Sequence, residues 1–214
     1  MLTSSIAQVG WCLIIGGHSS RLKVHVLELK CMHFERTASL PAGSRTRLAR
    51  RARVGSIERI ARGVYWNPEG GDVTAHHDLA VVAAAIPKAI ICLLSALQFH
   101  ELTSEWPREV WLALDRQSRV PKSLKLPLRV HRFSKPFLDL GVEEHLIEGM
   151  TVRVTSPAKT VADCFRFRNR YGTDLAVEAL RDYLKRKLPL ELLHQTAQLC
   201  RVEKVMRPYL EALL

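Results

Sequence analysis

The chain has 214 residues, a net charge of +11 and a 47% share of hydrophobic residues. That length suits a small domain plus a medium one, and the apolar share supports a packed core, which excludes a disordered chain. The apolar run nearest to a membrane segment, residues 9–15, is far shorter than the roughly 18–20 residues a span needs. The first arginine is Arg21, so no basic region precedes that run as a secretory leader requires, and the sequence predicts a cytoplasmic protein. The five cysteines (Cys12, Cys31, Cys92, Cys164 and Cys200) are odd in number and scattered without a C-x-x-C pair, the pattern of reduced thiols rather than of a zinc site.

Residues 1–20 carry no clear period and read as a tail. Residues 21–32 alternate apolar and polar positions before Leu27 and Leu29 and fit either a first helix or a strand. Thr37 to Leu40 predicts a short helix stopped by Pro41 and Gly43. Ser44 then stands as an N-cap, and 45–54 runs without Gly or Pro, with Leu48 and Ala52 four apart on one inward face. Gly55 and Ser56 end that helix, and Gly63 turns the segment from Ile57 to Tyr65 into a basic hairpin.

Charge concentrates in these two elements. Between Ser44 and Gly63 seven arginines face the single acid Glu58, a local excess of six in one tenth of the chain. Arginine binds phosphate bidentately and reads guanine through O6 and N7, so the helix and hairpin are predicted to contact DNA as a winged helix-turn-helix, the alternative being a solvated basic face on an ordinary helix. The candidate DNA-binding residues are Arg45, Thr46, Arg47, Arg50, Arg51 and Arg53 on the helix, and Arg59 and Arg62 in the wing. The expected domain is 21–67, followed by a turn-rich linker at 67–72.

The second domain, 73–214, is predicted to be α+β, a small sheet with several C-terminal helices. Thr74 caps a helix to about Ile86, broken at Pro87, and a mostly apolar helix follows from Ile90 to His100. Strands are expected at Val110–Leu114 and Leu128–Phe133, and a hairpin around Glu148 and Gly149. Ser156-Pro157 starts a helix to about Asn169, Thr173 caps another to Arg186, and Pro189 and Val202 open two more. Lys122, Lys125, Arg129 and Arg132 form a basic edge, read equally as a second nucleic-acid contact or a solvated sheet face.

Catalytic and metal chemistry find little support. His76 and His77 are adjacent and point to different sides of a helix, so they do not share a metal ion readily. Ser95, with His100 and Asp78 as conceivable partners, lacks a glycine-flanked elbow. Asp115 ends a predicted strand, but the next strand offers no acid to complete a Mg²⁺ site. Lys159 and Asp163 form an i, i+4 pair, worth only about a few tenths of a kcal/mol if it is exposed. No catalytic residue, metal ligand or cofactor is assigned.

Several ordered blocks of the chain carry a family resemblance. They are the run from Glu58 to Tyr65, the segment from Ile91 to Thr103, the segment from Ser156 to Phe165, and Arg201-Val202 with Val205 to Glu211. From Gly43 to Leu214 the sequence resembles the AbiEi-like antitoxins of type IV abortive-infection toxin–antitoxin systems. The resemblance implies a transcriptional autorepressor that binds operator DNA near its own promoter, and, because Thr160 and Asp163 fall within one of its segments, a buried polar clasp from these two residues to a neighbouring strand. It also implies an antitoxin that counters a nucleotidyltransferase-like toxin without holding it in a stable complex. The alternative is a module acting by direct protein contact through the C-terminal domain, with a degenerate DNA-binding domain.

Overall fold

The computed structural model describes residues 34–37, 40–41, 43–121 and 123–214. The helix or strand expected at 21–32, and two of the four residues of the short helix expected from Thr37 to Leu40, lie outside these residues. Strand β1 (Phe34–Arg36) comes first, where the sequence predicts no element, and Thr37 sits in a turn. Helix α1 (Ser44–Arg53) and the hairpin β2 (Glu58–Ala61)–β3 (Val64–Trp66) follow as expected. β3 lies between β1 and β2 in a three-stranded antiparallel sheet.

Cross-strand register gives this sheet two chemically different faces. Glu35 and Arg59 both stand opposite Tyr65, so the three side chains project to one side. Tyr65 there joins Leu48 and Ile57 in a small core under α1. Phe34, Val64 and Trp66 project to the other side and pack with α2 (His77–Ala85), where Arg36 donates to the Ala83 carbonyl at 2.6 Å. From Leu79 to Ala84 helix α2 is apolar all round, as a helix held between two layers must be, and its alanines let both layers approach closely. The expected linker at 67–72 contains a 3-10 turn, Pro68–Gly70, and the apolar core is continuous across it.

Beyond α2 lies a five-stranded mixed sheet, ordered β6 (Leu128–Phe133), β5 (Val110–Asp115), β4 (Ile90–Ile91), β8 (Met150–Thr155), β7 (Val142–Ile147). Along β5, Val110, Leu112 and Leu114 face α2, while Trp111 and Ala113 face the helices on the opposite side. Both faces are covered, so the strand is apolar throughout rather than alternating. The same logic corrects the single helix expected from Ile90 to His100. Ile90 and Ile91 are split between the two cores as a strand, and only α3 (Leu93–Phe99) is helical.

The far face is covered by α5 (Pro157–Arg166), α7 (Thr173–Lys185), α8 (Leu190–Leu199) and α9 (Glu203–Leu213), with the short α4 (Lys135–Leu138) and α6 (Arg168–Tyr171) between. Ser156 caps α5 as expected, its Oγ accepting from the Lys159 backbone N–H at 3.3 Å, but that helix stops at Arg166 and α6 begins after Phe167. Ala158 to Phe165 are all buried, Lys159 and Asp163 included. Their ion pair lies in the core with the ammonium also 5.2 Å from the Phe133 ring, so the exposed-pair reading of Lys159 and Asp163 is replaced. Burial raises the Asp163 carboxyl against the opposing pull of Lys159. Of the expected clasp to a strand only the Thr160 half forms: its Oγ1 lies 2.8 Å from the Thr155 hydroxyl of β8 and within reach of the carbonyls of Ser156 (2.8 Å) and Thr155 (3.1 Å), whereas Asp163 bonds Lys159 of its own helix.

The β7–β8 hairpin turns on Glu148 and Gly149, both at positive φ. Such turns favour Asn or Asp at the first position, where Glu is costlier. The Glu148 carboxylate is anchored at the start of the α2 segment. It accepts from the Thr74 N–H at 2.8 Å and the Thr74 hydroxyl at 3.0 Å, and meets His77 Nδ1 at 2.7 Å. Burial raises this carboxyl, but the Thr74 and His77 hydrogen bonds outweigh it and leave the group below its ordinary range. Thr74 therefore ties this carboxylate ahead of α2 rather than capping the helix, which starts at His77.

Candidate nucleic-acid interface

Helix residues advance by about 100° each, so Ser44, Leu48 and Ala52 form the inward face of α1. Ser44 and Leu48 are buried there, and the N-cap is Gly43 rather than the expected Ser44. The opposite face is Thr46, Arg50 and Arg53, all exposed. Arg45 and Arg47 flank it, also exposed, with Arg47 Nη2 3.3 Å from the Ser44 hydroxyl. Arg51 differs from the rest. It turns toward the sheet, where its guanidinium donates to the buried Glu35 carboxylate at 2.9 Å. The sequence grouped Arg51 with the DNA contacts because Glu35 belongs to a strand that only the fold brings beneath α1.

Charge at the two ends of α1 separates stability from function. Cations at Arg50, Arg51 and Arg53 complement the negative C-terminal end of the helix dipole, which would explain them without a ligand. Arg45 and Arg47 stand in the first turn, where a cation opposes the dipole. That turn holds no acid, and its backbone N–H groups have no side-chain cap. Uncapped N–H groups flanked by guanidinium groups are suited to an anion such as phosphate.

The hairpin presents the other two arginines. Arg59 is exposed and projects from the sheet face that α1 covers. Ala61 pairs with Val64, leaving exposed Arg62 and Gly63 as the turn. The register shifts between Arg59 and Ala61, an irregularity that adds twist at the hairpin end. Gly63 has φ +78, its carbonyl accepts from the Thr37 N–H at 2.9 Å, and a Cβ added there would lie 2.6 Å from the Thr37 hydroxyl. Any side chain at this position is strained by the left-handed backbone and displaces the Thr37 hydroxyl.

The basic edge expected in the second domain is not gathered in this way. Lys122 lies outside the described residues, and Lys125 is exposed on the loop before β6. Arg129 and Arg132 are three apart on one strand and project to opposite faces. Arg129 pairs with Glu109 at 2.6 Å and lies 4.7 Å from the centre of the Trp111 ring, while Arg132 donates to the carbonyls of Asp115 and Ser118. His131 is 2% exposed, stacked on Trp111 and edge-on to Tyr171. Burial, with Arg170 and Arg129 nearby, lowers its pKa to about 4, so it is a neutral core residue at neutral pH.

Ser95 and His100, weighed for catalysis, have structural partners. Ser95 is buried and accepts from the Trp111 N–H at 2.9 Å, and His100 Nε2 meets the Thr155 carbonyl at 2.7 Å. Among the described residues no group of three His, Cys, Asp or Glu side chains is placed to hold a metal ion. No helix among them is long and apolar enough to cross a membrane.

No family model matches the chain, and no curated protein matches it. Among solved structures, the fold is similar to that of the RV2827C protein from Mycobacterium tuberculosis, with a TM-score of 0.52 at 13% identity, covering 90% of this chain and 80% of that one. At that identity the likeness is one of fold alone.

Proposed function

We propose that this chain is a cytoplasmic DNA-binding regulator that grips a duplex through α1 and the β2–β3 hairpin, in the manner of a winged helix-turn-helix. The observation that carries this reading is the set of exposed arginines at 45, 47, 50, 53, 59 and 62, with Arg59 on the sheet face that α1 covers and Glu58 the only acid exposed in these elements. In this reading Thr46, Arg50 and Arg53 reach base edges in the major groove. Arg45, Arg47, Arg59 and Arg62 neutralise phosphates, and Arg51 supports the helix from behind through Glu35. We carry forward the resemblance as part of the proposal: operator DNA near the chain's own promoter as ligand, autorepression, and antitoxin action against a nucleotidyltransferase-like toxin. The reading assigns no catalytic step, metal or cofactor.

A salt titration tests the DNA contact. Binding of the full chain to a duplex from its own upstream region is followed by fluorescence anisotropy across salt concentrations. Each phosphate contact contributes about 0.9 to the slope of log K against log salt. Arg45→Ala with Arg47→Ala is expected to flatten the slope by about 2 units. Arg50→Ala with Arg53→Ala is expected to lower preference for the upstream duplex over a scrambled one. Unchanged slope and preference in both variants would remove α1 from the interface. For the antitoxin part, co-expression with a nucleotidyltransferase encoded beside this chain is expected to relieve its toxicity without a stable complex on co-purification; unrelieved toxicity would count against it.

A further inference from the structure

The C-terminal helices leave an apolar recess of about 520 Å³ between the end of α7, the α7–α8 loop and the end of α9. Leu184, Leu188 and Leu213 are its half-buried floor, packed against the main core, and Leu190 is exposed at its margin. The rim is cationic: Arg181, Lys185 and Lys187 line it, no Asp or Glu side chain does, and the exposed Leu214 borders it. Lys185 is paired with Asp182 at 3.0 Å, whereas Arg181 and Lys187 meet no carboxylate within ion-pair reach among the described residues.

These features select an occupant. The leucine floor takes aliphatic side chains, and the rim takes carboxylates, so a complementary ligand carries both on one short element. A second copy of this chain in a symmetric contact would set Arg181, Lys185 and Lys187 against the same patch, juxtaposing like charges. A recess also receives inserted side chains better than it fits the plane of a bilayer. We infer that this recess docks an acidic amphipathic helix of a partner protein, with leucine-like residues in the recess and Asp or Glu against Arg181 and Lys187. The inference does not depend on DNA binding, which involves α1 and the hairpin.

The test uses the full chain and a fluorescein-labelled helical peptide with leucine at every third or fourth position and glutamate elsewhere. Two controls are a peptide with serine for leucine and a twin with lysine for glutamate. The acidic amphipathic peptide is expected to bind about tenfold more tightly than either control. Arg181→Glu with Lys187→Glu, both on the exposed rim, is expected to weaken it by about tenfold and to let the lysine twin bind. Arg50→Ala with Arg53→Ala should leave this affinity unchanged, which separates the recess from the general positive field of the chain. The proposal is overturned if the serine peptide binds equally well, if the rim reversal changes nothing, or if the α1 variant abolishes binding. Binding to phosphatidylglycerol-containing vesicles in place of the peptide would also overturn it. So would a concentration-dependent dimer lost on Leu190→Glu.

Discussion

Acidification should destabilise this fold through His131, and the size of the effect follows from where that ring sits. The imidazole is sandwiched among Trp111, Phe167 and Tyr171, and its Nε2 has no hydrogen-bond partner. Its pKa falls from 6.5 to about 4. Between those values the unfolded chain binds a proton that the folded chain refuses, so stability rises with pH through this window and is lost as pH falls. At about 1.4 kcal/mol per unit, the loss relative to neutral pH is roughly 2 kcal/mol at pH 5 and on the order of 3 kcal/mol below pH 4. Urea unfolding of the wild type and of His131→Phe at a series of pH values isolates the term, because other titrating groups cancel in the difference. Phenylalanine keeps the ring packing and removes the titration and the unsatisfied nitrogen, together with the 3.4 Å contact of Nδ1 to the Tyr171 hydroxyl, so any difference at neutral pH is a constant offset and the two proteins should diverge in the variant's favour on acidification. Parallel stability curves across this window would refute the assignment of His131 as a buried neutral ring, and with it the exclusion of this residue from the basic surface.

Three further outcomes are expected. Arg51→Ala strands the buried Glu35 carboxylate and should cost about 2 kcal/mol in thermal or urea unfolding, whereas Arg50→Ala should change stability little; equal effects would contradict their different orientations. Gly63→Ala meets both a left-handed backbone and the Thr37 hydroxyl, and should cost roughly 2–3 kcal/mol of stability or of local hairpin protection in hydrogen exchange. Adding Thr37→Ala should recover the collision but not the backbone strain, and a lack of recovery would place the cost elsewhere. Pro208 sits inside α9 on its exposed side, where it lacks an N–H and crowds the preceding turn, so Pro208→Ala should raise the unfolding midpoint, with a gain of at least about 1 kcal/mol; a lower midpoint would show that the proline is required by local packing.

Elements with their own local signals are legible from the order of residues alone. Ser156-Pro157 locates the start of α5, Gly63 the basic hairpin and Glu148-Gly149 the β7–β8 turn, because capping and turn geometry are decided by a few neighbouring residues. The density of arginine from Ser44 to Gly63 is likewise a property of the chain alone. What local sequence does not specify is which side chains the fold turns inward. Ile90 and Ile91 look helical beside Leu93 and Leu94 until the strands on either side claim them. Lys159 and Asp163 resemble a surface pair until α5 is surrounded on all sides. Arg51 looks like its neighbours until Glu35, sixteen residues away, is placed under it. His131 looks like part of a basic strand until Trp111 and Tyr171 close over it. Residue type and spacing act through the nearest turn of chain and so determine caps, turns and charge density. Burial and ion pairing depend on groups distant in sequence, and only the packed layers decide which arginines remain free to face a ligand.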